Sequence, residues 1–269
     1  MKKYLLTIAY DGKAYSGWQR QELQPSIQSL IESALSTLLQ TPTLIEGSGR
    51  TDAGVHALGQ TAHFSCNRPI NKKRILLSLN ALLQKDIRIL KLSEVPKTFH
   101  ARYSASGKIY RYHLYVHPIL PPFRHGFVTH IPYPLDRERL KKGCEQFIGT
   151  HNFSSFANRQ HQGSAGKNAV RTIHRLEMQE KGDEIILEFE GDGFLYKMVR
   201  NIVGTLLLLA TGKIKIDEIP RIFATEDRRK AGQAAPPEGL FLVSVIYPDE
   251  EFLQKSEIEE REPPLLVER

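Results

Sequence analysis

The chain has 269 residues, 41% hydrophobic and 25% charged, with a formal net charge of +7 and a pI near 9.3. That is an ordinary globular composition, long enough to bury one large core or two smaller ones, and no apolar run approaches the ~20 residues that span a bilayer. The N-terminus lacks the apolar core and cleavage site of a secretory signal; the two cysteines, Cys66 and Cys144, have neither zinc spacing nor a disulfide framework and are expected to be buried, inert thiols in a reducing cytoplasm.

Lys3 to Tyr10 alternates with period 2 and predicts a strand. Ile27, Leu30, Ile31, Ala34, Leu35, Leu38 and Leu39 follow at i, i+3, i+4 spacing, the single apolar stripe of a helix that starts at Pro25-Ser26. Thr43-Leu44-Ile45 and Thr61-Ala62-His63-Phe64 read as strands flanking a polar, glycine-rich loop. A second periodic helix over Asn71 to Leu83 and a strand over Ile87 to Leu92 complete a β-α-β-β-α-β order. The second half predicts the same order without any visible sequence repeat. It has a strand over Ile109 to Val116, a helix over Asp136 to Phe147 and a hairpin of Val170 to Gln179 with Glu184 to Glu190. A helix over Phe194 to Ala210, stopped by Gly212, and an apolar central strand over Leu240 to Tyr247 follow, with an extra helix near Asp217 to Ala224. The class is therefore α+β, built as two ferredoxin-like halves with mainly antiparallel sheets. We place the N-terminal half at residues 1–105 and the C-terminal half at 106–248.

Residues 249–269 carry 8 acidic and 3 basic side chains, so the body before this acidic tail holds 34 basic against 22 acidic groups. A basic globular body favours a polyanionic partner through phosphate neutralisation and counterion release. Within the second half, the polar stretch from Ser154 to Lys167 includes Arg159 and Lys167 and has no apolar period; it reads as a surface loop able to order against the phosphates of such a partner.

The loop Gly47-Ser48-Gly49-Arg50-Thr51-Asp52-Ala53-Gly54-Val55-His56 concentrates three glycines, a cation, a carboxylate and an imidazole. A hairpin turn is the bland interpretation, since Gly, Asp and Ser are ordinary turn formers. The loop is longer than a minimal hairpin and carries an Arg-Thr-Asp run that a turn does not need. Neither phosphate-loop spacing fits.

Gly49-Arg50-Thr51-Asp52-Ala53-Gly54-Val55-His56 resembles the signature of the TruA family of tRNA pseudouridine synthases. Four further blocks resemble that family in order along the chain. They are Tyr10-Asp11-Gly12 with Gly17-Trp18-Gln19-Arg20; Phe99-His100-Ala101-Arg102-Tyr103 with Tyr110-Arg111-Tyr112; Met198 to Gly204; and Glu238-Gly239-Leu240. The resemblance implies that the two sheets join into one platform with helices behind and a cleft between the halves. It implies conversion of uridine to pseudouridine in the anticodon stem-loop of tRNA, at positions 38 to 40, by a cytoplasmic homodimer.

Under that resemblance Asp52 is the catalytic carboxylate, acting as nucleophile or as general base. Arg50, two residues away, contacts phosphate or fills the stack vacated by a flipped base, or else forms a salt bridge to Asp52. Tyr110 is the strand residue that stacks on the substrate, with Tyr112 left in the core. By helix position alone Arg200 is solvent-exposed; the resemblance instead brings its charge near the catalytic carboxylate. His56 orients the loop through a hydrogen bond, while His100, Arg102, Arg20, Arg159 and Lys167 bind RNA. Ten histidines without paired spacing suggest no metal site, and the isomerisation calls for no cofactor. A non-catalytic RNA-binding module on the same fold is the rival interpretation. A glycoside hydrolase is a weaker one, because no motif supplies the second carboxylate that class usually needs.

Overall fold

A computed structural model describes residues 1–21, 24–158 and 168–248. The chain falls into two compact units. The first takes Met1–Ser106, Pro121–His125 and the segment from Leu242 onward; the second takes Gly107–Leu120 and Gly126–Phe241.

In the first unit β1 (Lys2–Tyr10), α1 (Ile27–Leu39), β2 (Glu46–Gly47), β3 (His56–Cys66), α2 (Lys72–Leu82) and β4 (Ile87–Val95) follow one another in the expected order. β1 is central: it pairs antiparallel with β3 from Lys2↔Cys66 and with β4 from Lys3↔Val95. Its inward side chains, Tyr4, Leu6, Ile8 and Tyr10, are almost wholly buried. Ser26 caps α1, its hydroxyl accepting from the Ser29 amide, and Ile27, Ile31, Leu35 and Leu39 bury the predicted stripe. Asn71 caps α2 in the same way, yet of that helix only Leu79 is fully buried and Leu77 and Leu82 face solvent.

Two expectations shift here. The strand before the polar loop is not Thr43-Leu44-Ile45 but the two residues Glu46 and Gly47, paired with His63 and Ala62. Cys66 is only half-buried, whereas burial of Cys144 pushes its thiol up to about 12.

The second unit contains β5 (Gly107–Val116), β6 (Thr129–Ile131), α3 (Arg137–Glu145), β7 (Gly149–Asn152), β8 (Val170–Lys181), β9 (Glu184–Gly191), α4 (Met198–Ala210) and α5 (Glu218–Thr225). β9 lies between β5 and β8 with antiparallel pairing throughout, and β7 extends the sheet beyond β8. The short β6 pairs parallel to β5. α4 begins at Met198 rather than at Phe194, because Lys197 adopts φ +60°, a left-handed conformation that cannot continue inside a helix. Its stripe of Met198, Val199, Ile202, Val203 and Leu206 is buried, and Phe147, Phe153, Phe156 and Phe223 form an aromatic cluster in the same unit.

β10 (Leu240–Ile246) opens in the second unit and from Leu242 belongs to the first. There Tyr247 donates to the Ala101 carbonyl at 2.8 Å and meets the Thr61 hydroxyl at 2.7 Å, closing a core cluster with Leu5, Val95 and Phe99. Among the described residues no helix is long and apolar enough to cross a membrane.

Candidate active site

The Asp52 loop is held from below by residues of the N-terminal segment. The Thr51 carbonyl accepts the Trp18 amide at 3.1 Å, and the Thr51 hydroxyl lies 2.8 Å from the Tyr10 hydroxyl. Trp18 is buried with its ring against Tyr10. Gly17 sits at φ +96°, and a side-chain carbon there would stand 2.5 Å from the Thr51 carbonyl oxygen, so only glycine lets the two segments touch. Within the loop the Val55 amide donates to the Asp52 carbonyl at 3.2 Å. The buried Gln60 ties its other arm by accepting the Ser48 hydroxyl at 2.7 Å and donating to the Gly49 carbonyl. Asp52 is half-buried in this loop and Arg50, two residues before it, is exposed.

His56 is 1% exposed and its Nδ1 accepts the Gly12 amide at 3.1 Å. A nitrogen that accepts carries no proton, so the ring is the neutral Nε2–H tautomer. The 3.2 Å approach of Asp11 to the same Nδ1 is then not a hydrogen bond. His56 thus orients the loop. Arg50 makes no ion pair among the described residues, so the salt bridge to Asp52 is not formed.

Arg20 has a structural partner. It pairs at 2.8 Å with the buried Glu32, whose other oxygen accepts the Ile45 amide and the Gln28 side chain. His100 donates from Nε2 to Glu46 at 3.1 Å, while its Nδ1 accepts the Arg102 amide; the Arg102 guanidinium lies over the ring of Tyr103, which is 77% exposed.

The fold gathers Glu46, His63 and His100, which lie far apart in the sequence, so that their ligand atoms come within 4.8 Å of one another. The donor chemistry does not suit a metal ion. His63 Nδ1 accepts the Ala101 amide just as His100 Nδ1 accepts the Arg102 amide, so both Nε2 atoms carry protons and offer no lone pair. Burial, with a contribution from the His100 ring, also lowers the pKa of His63.

In the second unit Tyr110 is nearly buried on β5 with its ring edge-on to Phe194, centroids 5.1 Å apart. Tyr112 is a core residue: fully buried, it donates to the Pro236 carbonyl and meets the Thr129 hydroxyl. Burial raises its pKa.

Arg200 is partly buried rather than solvent-exposed. Its Nε donates to the Ala235 carbonyl at 2.7 Å, and the Ala235 amide returns a bond to the Arg200 carbonyl at 2.9 Å. The segment carrying Ala235 is clamped onto α4: the Gly232 amide donates to the Thr205 hydroxyl, and at Gly204 a side-chain carbon would fall 1.7 Å from the Gln233 carbonyl oxygen. Sequence reasoning missed this clamp, whose one visible signal is the Gly and Ala content of Ala231 to Ala235. Arg159 and Lys167 lie outside the described residues, as does the acidic tail.

A family model described as tRNA pseudouridine synthase matches residues 6–104 and 144–248. The chain is 51% identical over 251 residues to tRNA pseudouridine synthase A 1 of Protochlamydia amoebophila, covering 93% of this chain and 98% of that protein. It is 42% identical over 247 residues to tRNA pseudouridine synthase A of Caldicellulosiruptor saccharolyticus, covering 92% of this chain and the whole of that one. The same identity and coverage hold for tRNA pseudouridine synthase A of Acetivibrio thermocellus.

Proposed function

This chain belongs to the tRNA pseudouridine synthase family, and from that premise we propose that Asp52 is the carboxylate through which it isomerises uridine in tRNA. The reaction breaks the bond from the ribose carbon to the uracil nitrogen and remakes it to a ring carbon. A proton leaves that carbon and one is gained at nitrogen. No electron is transferred and no phosphoanhydride is spent. The protein has to labilise the glycosidic carbon and hold the detached base while it turns. A carboxylate does the first as a covalent nucleophile or by supporting cationic character at the sugar, and it can also move the proton.

The observation that carries this reading is the support beneath Asp52. Trp18 through its backbone amide, Tyr10, Gln60 and His56 through their side chains, and Gly17 by its close approach to Thr51 fix the loop on both sides of the half-buried Asp52. Preorganising a charged group in this way keeps reorganisation out of the chemical step.

Around Asp52 we assign Arg50 to the tRNA backbone or to the gap left by the flipped nucleotide. Tyr110 stacks on the extruded uracil, and Arg200, oriented by Ala235, binds the substrate. His100 and Arg102 contact RNA, as do Arg159 and Lys167; Arg20 does so with the donors left over from Glu32. The substrate region is the anticodon stem-loop, positions 38 to 40, and the working form is a cytoplasmic homodimer. The N-terminal half carries the catalytic loop and the C-terminal half Tyr110 and Arg200. The non-catalytic RNA-binding alternative gives way to an isomerase, as the family match requires.

Replacing Asp52 by Ala or Asn tests the assignment. With unmodified tRNA transcripts and pseudouridine mapping, turnover should fall by at least about a thousandfold while tRNA affinity changes little. Conversion at the normal rate by a folded Asp52→Ala protein would overturn it.

A further inference from the structure

Arg228 follows α5, next to an arginine that has a carboxylate partner: Arg229 chelates Asp227 through Nε and Nη2. Arg228 differs. It is half-buried, and its three bonds go to uncharged oxygens: Nη2 to Asn201 Oδ1 at 2.6 Å, Nη1 to the Ala231 carbonyl at 3.3 Å and Nε to Asn158 Oδ1 at 3.4 Å. Among the described residues no carboxylate pairs with it. Its principal partner is itself immobile. Asn201 is fully buried on α4, and its amide nitrogen donates to the Phe156 carbonyl and to Asn158, which leaves its oxygen for the guanidinium.

A half-buried cation without a counter-charge costs free energy that an arriving anion recovers. Here the fork is also held in one orientation before the anion arrives, so little further entropy is lost on binding. Burial lowers the pKa of this guanidinium, the direction expected where no anion compensates it. The position is connected to the proposed catalytic machinery: Asn201 follows Arg200 on α4, and the segment that orients Arg200 through Ala235 begins at the Ala231 carbonyl that Arg228 holds.

We propose that Arg228 is a phosphate-binding site that takes one phosphodiester of the bound tRNA on its remaining N–H donors. The planar guanidinium suits two oxygens of one phosphate. The inference rests on tRNA being the substrate and not on the role given to Asp52. Its experiment reads binding, whereas that of Asp52 reads turnover.

The test is equilibrium binding of an unmodified tRNA transcript to the full-length protein across a series of KCl concentrations. Arg228→Gln should weaken binding about tenfold at low salt and make the slope of log K against log salt shallower by about 0.7–0.9, one phosphate contact. Arg228→Lys keeps the charge and should keep the slope of the original protein. If the Gln variant does not fold, Arg228→Met, which fills the same apolar space, is read in the same way. A folded neutral variant with an unchanged slope, even with a lowered melting temperature, would show that Arg228 only pins the Ala231 segment and would overturn the proposal. So would a Lys variant whose slope falls like that of Gln.

Discussion

The Thr51 carbonyl can rest on the Gly17 backbone because nothing projects from the Gly17 α-carbon, and the backbone there is left-handed. Gly17→Ala should therefore cost about 1–2 kcal/mol for the conformation alone, with more for the contact at 2.5 Å. Urea unfolding should show that loss, and steady-state assays should show a fall in kcat larger than any rise in KM, because the displaced residue is next to Asp52. Unchanged kinetics in a destabilised protein would separate this contact from catalysis. Arg50, Asp52 and His56 were legible as a group because the motif is contiguous. Their supports were not: Tyr10, Gly17 and Trp18 reach the loop only through the fold. Asn201 and Arg228 are paired by the same kind of long-range contact, and no local spacing announces it.

At the level of elements, caps and stripes were readable because they are local. Ser26, Asn71 and Asp136 each accept the amide three residues on, at or next to the expected starts. The errors come from conformations that composition does not reveal, namely the left-handed Lys197 that delays α4 and a β2 only two residues long. Cross-strand charge was also invisible to periodicity. Glu188 on β9 accepts Arg111 of β5 and Arg175 of β8, each at 2.6 Å, and so ties three strands together. Burial alone would raise its pKa, but the two guanidinium groups outweigh burial and hold it below the usual carboxylate value. A folded pKa below the unfolded one means stability that is present above about pH 4.5 and is lost as pH falls through the folded value. Glu188→Gln should cost about 1–2 kcal/mol at pH 7, and unfolding curves at pH 7 and pH 3 should show the gap from the original protein closing in acid. A gap of equal size at both would mean that packing, not charge, is what Glu188 supplies.

Over the whole molecule, charge is divided between a basic body and an acidic end. Without residues 249–269 the net charge would rise from +7 to +12. A chain ending at Pro248 should bind tRNA several-fold more tightly than the full chain at 50 mM salt and equally well at 500 mM, where screening shortens the reach of the tail. Equal affinity at both concentrations would show that the tail exerts no field on the RNA. The α+β class and the order of elements were legible because each element carries its own period. The division of β10 was not, since an apolar strand does not declare which neighbour it serves. That division bears on how the protein is made. The hydroxyl of Tyr247 reaches Thr61 and Ala101 across 186 and 146 residues of sequence. β3 also neighbours β10 in the sheet, so during synthesis the N-terminal unit waits, that strand short of a neighbour, until β10 has been translated. A nascent chain stalled before Leu242 should expose that incomplete edge to chaperones, and emergence of the segment through Tyr247 should end the exposure.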